Sequence, residues 1–222
     1  MKNIHKLTAV KYGETYIDEG MAYRGGDRTK RVPISLIVYL IETESRKILV
    51  DAGCDTMPGF ELRNFSSPAE VLRRAGIDPL TITDVILTHA HHDHAEAAHY
   101  FRNANVYIEK NELAAARCYL EGLQIKPFEE AVVLDDCVHA IKIGGHSWGS
   151  CVVEFDYKSK KHVICGDECY VRRCLDEKIC TGASVCPEKS LAFVEKYGSG
   201  DYVTLLCHDG EILKGRNGVL DF

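Results

Sequence analysis

No stretch of this chain constrains its fold as much as residues 88–95, which read T-H-A-H-H-D-H-A. His89, His91, Asp93 and His94 form the spacing H-x-H-x-D-H within it. Imidazole is the commonest metal ligand near neutral pH, and carboxylates accept the same divalent ions. In extended backbone His89 and His91 point the same way. Asp93 and His94 are adjacent and can turn toward a second position. The apolar run at 85–88 reads as a short buried strand, a rigid base for a ligand loop.

Four ligands cannot complete two metal positions, so the fold must bring others from distant segments. Three candidates stand out. His146 lies in the flexible turn G-G-H-S-W-G-S at 144–150. Asp167 follows the predicted strand 162–165, and His208 follows the predicted strand 202–207. Singly, each is an ordinary loop residue that water would satisfy. Together they gain weight because each ends a strand, so all can meet at one edge.

The other predicted strands are 33–43, paired as a hairpin with 47–51, then 106–109, 138–143 and 151–157. Val, Ile and aromatic residues dominate these runs. Helices are predicted between them. Ser67-Pro68-Ala69-Glu70 is a capping box with proline at the first helical position, and Gly76 stops that helix. Residues 111–120 are strong helix formers, and 187–197 run from a proline to Gly198. This order suggests two packed sheets with helices outside. No linker or repeat interrupts the 222 residues, so one domain, 1–222, is expected.

Composition narrows the function. Hydrophobic residues at 45% and charged residues at 27% exclude a disordered, collagen-like or coiled-coil chain. A net charge of −6 leaves no basic footprint, so nucleic acid is not an expected partner. No apolar run approaches the roughly 20 residues a bilayer requires, so no membrane association is expected. The first ten residues carry no export signal, which suggests a cytoplasmic protein. The ten cysteines then read as reduced thiols and not as a disulfide framework.

These motifs, taken in order, resemble those of the metallo-β-lactamase superfamily: Asp51 in L-V-D-A-G, the block 89–94, His146 in G-H-S, Asp167 in G-D, and His208. The resemblance runs from about residue 33 onward. It implies an α/β fold, a four-layer αββα sandwich, with two divalent ions at one edge of the sheets. Zinc suits the histidine-rich set, and iron and manganese also fit. By that analogy His89, His91 and His146 hold one ion, Asp93, His94 and His208 the other, and Asp167 bridges them. Asp51 then organises the loops without binding metal. Two such ions share a hydroxide that attacks an ester, thioester, lactone, amide or phosphate of a small-molecule substrate.

Tyr170, three residues after Asp167, is similar to a tyrosine of the N-acyl-homoserine lactonase branch that hydrogen-bonds the reacting carbonyl or leaving oxygen. Asp93 and Tyr170 are thus the implied catalytic residues, and lactone or ester hydrolysis the implied reaction. A glyoxalase-II-like thioesterase and a phosphodiesterase are alternatives on the same metals. A metal- or redox-sensing protein is the alternative that is not an enzyme, built on Cys165, Cys169, Cys174, Cys180 and Cys186. Trp148 and Glu96 depart from the lactonase pattern. Trp148 could wall the pocket, and Glu96 is expected to bring a carboxylate near the site entrance. Cys165 and Cys207 flank metal ligands, where oxidation could inhibit. Arg24, Arg28, Lys30 and Arg31 form a basic loop. His92 and His99 lie off the ligand pattern, and His5, His139 and His162 read as surface residues on strand edges.

Overall fold

The segment Arg31–Thr43 shows how the chain is layered. Leu36, Val38 and Leu40 enter one apolar cluster, while Ile37, Tyr39 and Ile41 enter another. Alternation with both faces apolar means the strand is covered on both sides. The computed structural model, which describes residues 3–222, supplies those two covers.

One sheet contains β1 (Ile4–Asp18), β2 (Arg31–Thr43), β3 (Lys47–Val50), β4 (Asp84–Ile86), β5 (Asn105–Glu109) and β6 (Gln124–Phe128). The other contains β7 (Ala131–Leu134), β8 (Val138–Lys142), β9 (Cys151–Tyr157), β10 (Lys160–Ile164) and β11 (Tyr202–Leu205). A last strand, β12 (Gly218–Asp221), returns to the first sheet, giving the orders β12-β1-β2-β3-β4-β5-β6 and β11-β10-β9-β8-β7. Strands β3 to β6 are parallel, as are β10 and β11; the remaining pairs are antiparallel.

The helices are α1 (Glu19–Ala22), α2 (Pro68–Arg74), α3 (His92–Ala95), α4 (Leu113–Ala116), α5 (Arg172–Glu177) and α6 (Pro187–Tyr197). Three apolar layers separate four structural ones. Leu72, Ala95, Phe101 and Ala116 pack on the outer face of the first sheet. Ile37, Tyr39 and Val50 meet Val138, Val153 and Phe155 between the sheets. Cys174, Leu175, Phe193 and Val194 cover Val152 and Val163 on the far side. The αββα sandwich implied by the motifs is the observed architecture.

The Ser67 cap is present, with its hydroxyl accepting from the amide of Glu70, and Gly76 ends the turn beyond α2 at φ +80°. Several expectations need correction. The strands β1, β6, β7 and β12 fall where no strand was expected. The helix expected over 111–120 shortens to a 3-10 turn, Lys110–Glu112, followed by α4, because Glu112 folds inward and Leu120 drops into the core. His162 is not a surface residue: its ring is buried and stacks on Phe155 at 5.5 Å. Among the described residues no helix is long and apolar enough to cross a membrane.

Candidate metal centre

The ligand candidates leave the carboxyl ends of strands that point the same way. His89 and His91 follow β4, and Asp93 and His94 occupy the start of α3. His146 sits in the turn between β8 and β9, Asp167 in the 3-10 turn after β10, and His208 just past β11. All seven expected ligands come together in two groups. His89, His91, His146 and Asp167 form one, and Asp93, His94 and His208 the other, with the ligand atoms of each group within 4.8 Å of one another.

Asp167 faces both groups. Its Oδ1 lies 3.0 Å from His94 Nε2 and 2.9 Å from His208 Nε2, while Oδ2 lies 3.6 Å from His89 Nε2 and 3.5 Å from His146 Nε2. Asp93 Oδ2 is 3.7 Å from His94 Nε2 and 3.8 Å from His208 Nε2. His91 Nδ1 stands 3.0 Å from His89 Nε2 and 2.9 Å from His146 Nε2. Ring nitrogens this close share a common focus.

The donor set fits divalent ions. His94 Nε2 is buried, and despite its approach to Asp167 it has no hydrogen-bond partner. A buried polar nitrogen left unsatisfied is costly unless a ligand completes it. Four imidazoles have the other nitrogen engaged: His89 Nδ1 by Thr88 Oγ1 at 3.0 Å, His94 Nδ1 by Asp51 Oδ2 at 2.8 Å, His208 Nδ1 by the Ser35 carbonyl at 2.9 Å, and His146 Nδ1 by the Ala183 carbonyl. Such partners fix the ring and turn its free nitrogen inward.

Charge is balanced tightly. Burial, with the neighbouring imidazoles, holds His89 well below the usual histidine range, and burial lowers His91. At His94 and His208 burial opposes the charge, but Asp167 and its neighbouring carboxylates outweigh it and raise both. At Asp167 burial is likewise outweighed, by His94 and His208, and the carboxyl is held well below its usual range. Asp51 is buried and accepts the Thr88 amide at 2.7 Å as well as serving His94, so it organises two loops without facing the focus.

Tyr170 lies against the centre. Its ring stacks on His208 at 5.0 Å and meets His146 edge-on at 6.0 Å. Burial first, then Asp167 and Asp93, raise its phenol well above the usual value, which keeps it a donor. A cavity of about 470 Å³ opens beside Tyr170 and His208, lined also by Thr15, Ile34, Arg63 and Arg172.

Other candidates lie apart from the focus. His92 turns to Tyr119, Thr56 and Glu96, and His99 to Asp55. The Glu96 carboxylate is not free at the entrance; it accepts the amides of Asp55 and Thr56 and pins that loop. Trp148 is 64% exposed, and Arg24, Arg28, Lys30 and Arg31 are exposed as well. Among the described residues no cysteine joins a cluster of ligand atoms able to hold an ion. Cys165 and Cys207 are buried, and burial pushes both thiols up, which disfavours the thiolate form.

Sequence reasoning missed the groups beneath the ligands. Tyr12, on the unexpected strand β1, donates to the Asp93 carbonyl at 2.9 Å. Glu112 and Glu168 are buried and bind the backbone of ligand loops. Glu112 lies at the start of the run expected as a helix and Glu168 follows Asp167 in G-D-E-C, and neither local sequence carries a signal of burial.

Comparisons with known proteins agree with the geometry. The profile described as the metallo-beta-lactamase superfamily matches residues 37–201. An N-acyl homoserine lactonase of Bacillus thuringiensis is 24% identical over 222 residues, covering 87% of each chain. A solved quorum-quenching N-acyl homoserine lactone hydrolase superposes with a TM-score of 0.85 at 21% identity, over 98% of each chain. The dizinc quorum-quenching lactonase AidC superposes at 0.74 with 16% identity, over 95% of this chain and 92% of that one.

Proposed function

From the premise that this chain belongs to the metallo-β-lactamase superfamily and is a metal-dependent hydrolase, we propose that it holds two divalent ions and opens a lactone of the N-acyl-homoserine type, or cleaves a related carboxylic ester. The observation that carries this is Asp167, one carboxylate with an oxygen toward each imidazole group. His89, His91 and His146 hold one ion, Asp93, His94 and His208 the other, and Asp167 is common to both. Imidazole and carboxylate favour zinc, and iron and manganese suit the same donors. Ions held here supply an activated water and a Lewis acid for the carbonyl at neutral pH.

The protein's own groups complete the site. Tyr170 donates to the carbonyl or leaving oxygen, where charge develops. The cavity beside Tyr170 and His208 has the size of a small-molecule site. The named relatives act as lactonases, and AidC is described as dizinc, which supports both substrate class and metal.

Elemental analysis of protein purified without chelator, paired with a panel of lactones and esters, tests the proposal. Two ions per chain and lactone turnover that His91→Ala abolishes are the expected result. Two ions without lactone or ester turnover would move the assignment to thioesters or phosphodiesters. Fewer than two ions would remove the dinuclear reading.

A further inference from the structure

Two buried carboxylates that are not ligands hold the loops of one ligand group and not the other. Glu112 is 5% exposed. Its Oε2 accepts the amide of Ala90, the residue between His89 and His91, at 3.0 Å. Its Oε1 accepts the Ser147 hydroxyl and the Gly149 amide, both at 2.8 Å. One carboxylate thus ties the His89–His91 loop to the turn that carries His146.

Glu168 is fully buried and grips the same turn from the other side. Its Oε1 accepts the amides of Gly145 at 3.0 Å and His146 at 3.1 Å and the Ser150 hydroxyl at 2.5 Å, and its Oε2 accepts Ser190 Oγ at 3.1 Å. Gly145 is required there, since an added Cβ would lie 2.4 Å from Glu168 Oε2. Glu168 directly follows Asp167, so the shared ligand and the His146 turn are set by neighbouring side chains.

The second group rests on different supports. Asp51 holds His94, Tyr12 holds the Asp93 backbone, and the Ser35 carbonyl holds His208. Asp51 reaches the first group only through Thr88. Neither Glu112 nor Glu168 has a hydrogen bond to Asp93, His94 or His208.

We infer that Glu112 and Glu168 are positioning residues for the His89/His91/His146 ion alone, so that the two ions are supported separately and their affinities can change independently. This rests on the two-ion reading above. The two carboxylates should differ in sensitivity. A glutamine at 112 must turn its NH2 group toward either the Ala90 amide or the Ser147–Gly149 pair, leaving donor against donor. A glutamine at 168 can point its NH2 group at Ser190 Oγ, which rotates to accept.

The experiment titrates metal-free protein with zinc alone against a chromophoric chelator. Wild type should show two binding constants. His146→Ala and His208→Ala assign them, each deleting one. Glu112→Gln should weaken the constant that His146→Ala deletes by about 10–100-fold and leave the other within about threefold. Glu168→Gln should weaken the same constant by less. Should Glu112→Gln fail to fold, Ser147→Ala removes a single donor to Glu112 and should weaken that constant by roughly 3–10-fold. Equal weakening of both constants, or no change in either, would overturn the inference. Wild type that binds fewer than two zinc ions would defeat the dinuclear reading first, and the inference with it.

Discussion

At the scale of single residues, the candidate ligands and their supports differ in how visible they are. His89, His91, Asp93 and His94 were legible because metal chemistry concentrates in one short run. His146, Asp167 and His208 were legible as strand ends, and that is where they stand. Glu112 and Glu168 were not, because nothing local distinguishes a buried carboxylate bound to backbone amides from a solvated one. Tyr170 lies between these cases, its place beside Asp167 being legible and its stacking on His208 not. Its proposed role yields a residue-scale prediction. Tyr170→Phe keeps the ring on His208 and removes only the phenolic donor. Losing one donor to a developing oxyanion costs about 100-fold in turnover. The variant should therefore lose about that factor in kcat on a lactone while metal content stays at the wild-type level. Unchanged kcat would reduce Tyr170 to a packing residue.

Elements were legible where hydrophobic alternation is clean. Strand β2 is such a case, and its hairpin with β3 forms as expected. Strand β1 was hidden because Lys11 stands in its middle, although the lysine is fully buried, paired with Glu14 and donating to the Ile212 and Leu213 carbonyls. A charged residue inside a strand breaks the apolar pattern that identifies strands. Another charged residue joins the two sheets at the end away from the ligands. Arg46, in the turn between β2 and β3, donates to Asp84 at 2.8 Å and to Asp135 at 2.9 Å. Asp84 starts β4 in one sheet, and Asp135 follows β7 in the other. Arg46→Ala removes the guanidinium that pairs with the buried Asp84 and bridges it to Asp135. Breaking a buried pair costs about 3–5 kcal/mol, and the partial exposure of Arg46 lowers that to about 2 kcal/mol. Urea unfolding should show that loss, with turnover of the metal-loaded enzyme unchanged. A fall in turnover without a fall in stability would mean the pin acts on the site.

Over the whole molecule, the candidate ligand loops, with ions bound as proposed, would do for one end of the sandwich what Arg46 does for the other. Asp51, His89 and His94 extend from the first sheet, while His146, Asp167 and His208 extend from the second. An ion bound by His89, His91, His146 and Asp167 therefore links the two sheets directly. Without ions the same end gathers carboxylates and imidazoles in a buried space, with His94 Nε2 unsatisfied. Metal binds the folded arrangement, and the unfolded chain has no comparable site, so binding free energy adds to stability. An ion at about a thousandfold above its dissociation constant adds about 4 kcal/mol. For a chain of this length that corresponds to a rise of roughly 8–16 °C in Tm. On the two-ion proposal each ion contributes a rise of that order, so chelator should lower the Tm by at least that amount and zinc should restore it, as read by thermal unfolding followed by circular dichroism. His208→Ala, which removes a ligand on the second sheet, should shrink the shift because one of the two links is lost. If chelator left the Tm unchanged while removing metal, the ions would not be joining the sheets, and the inter-sheet core around Ile37, Tyr39 and Val153 would alone hold the sandwich closed.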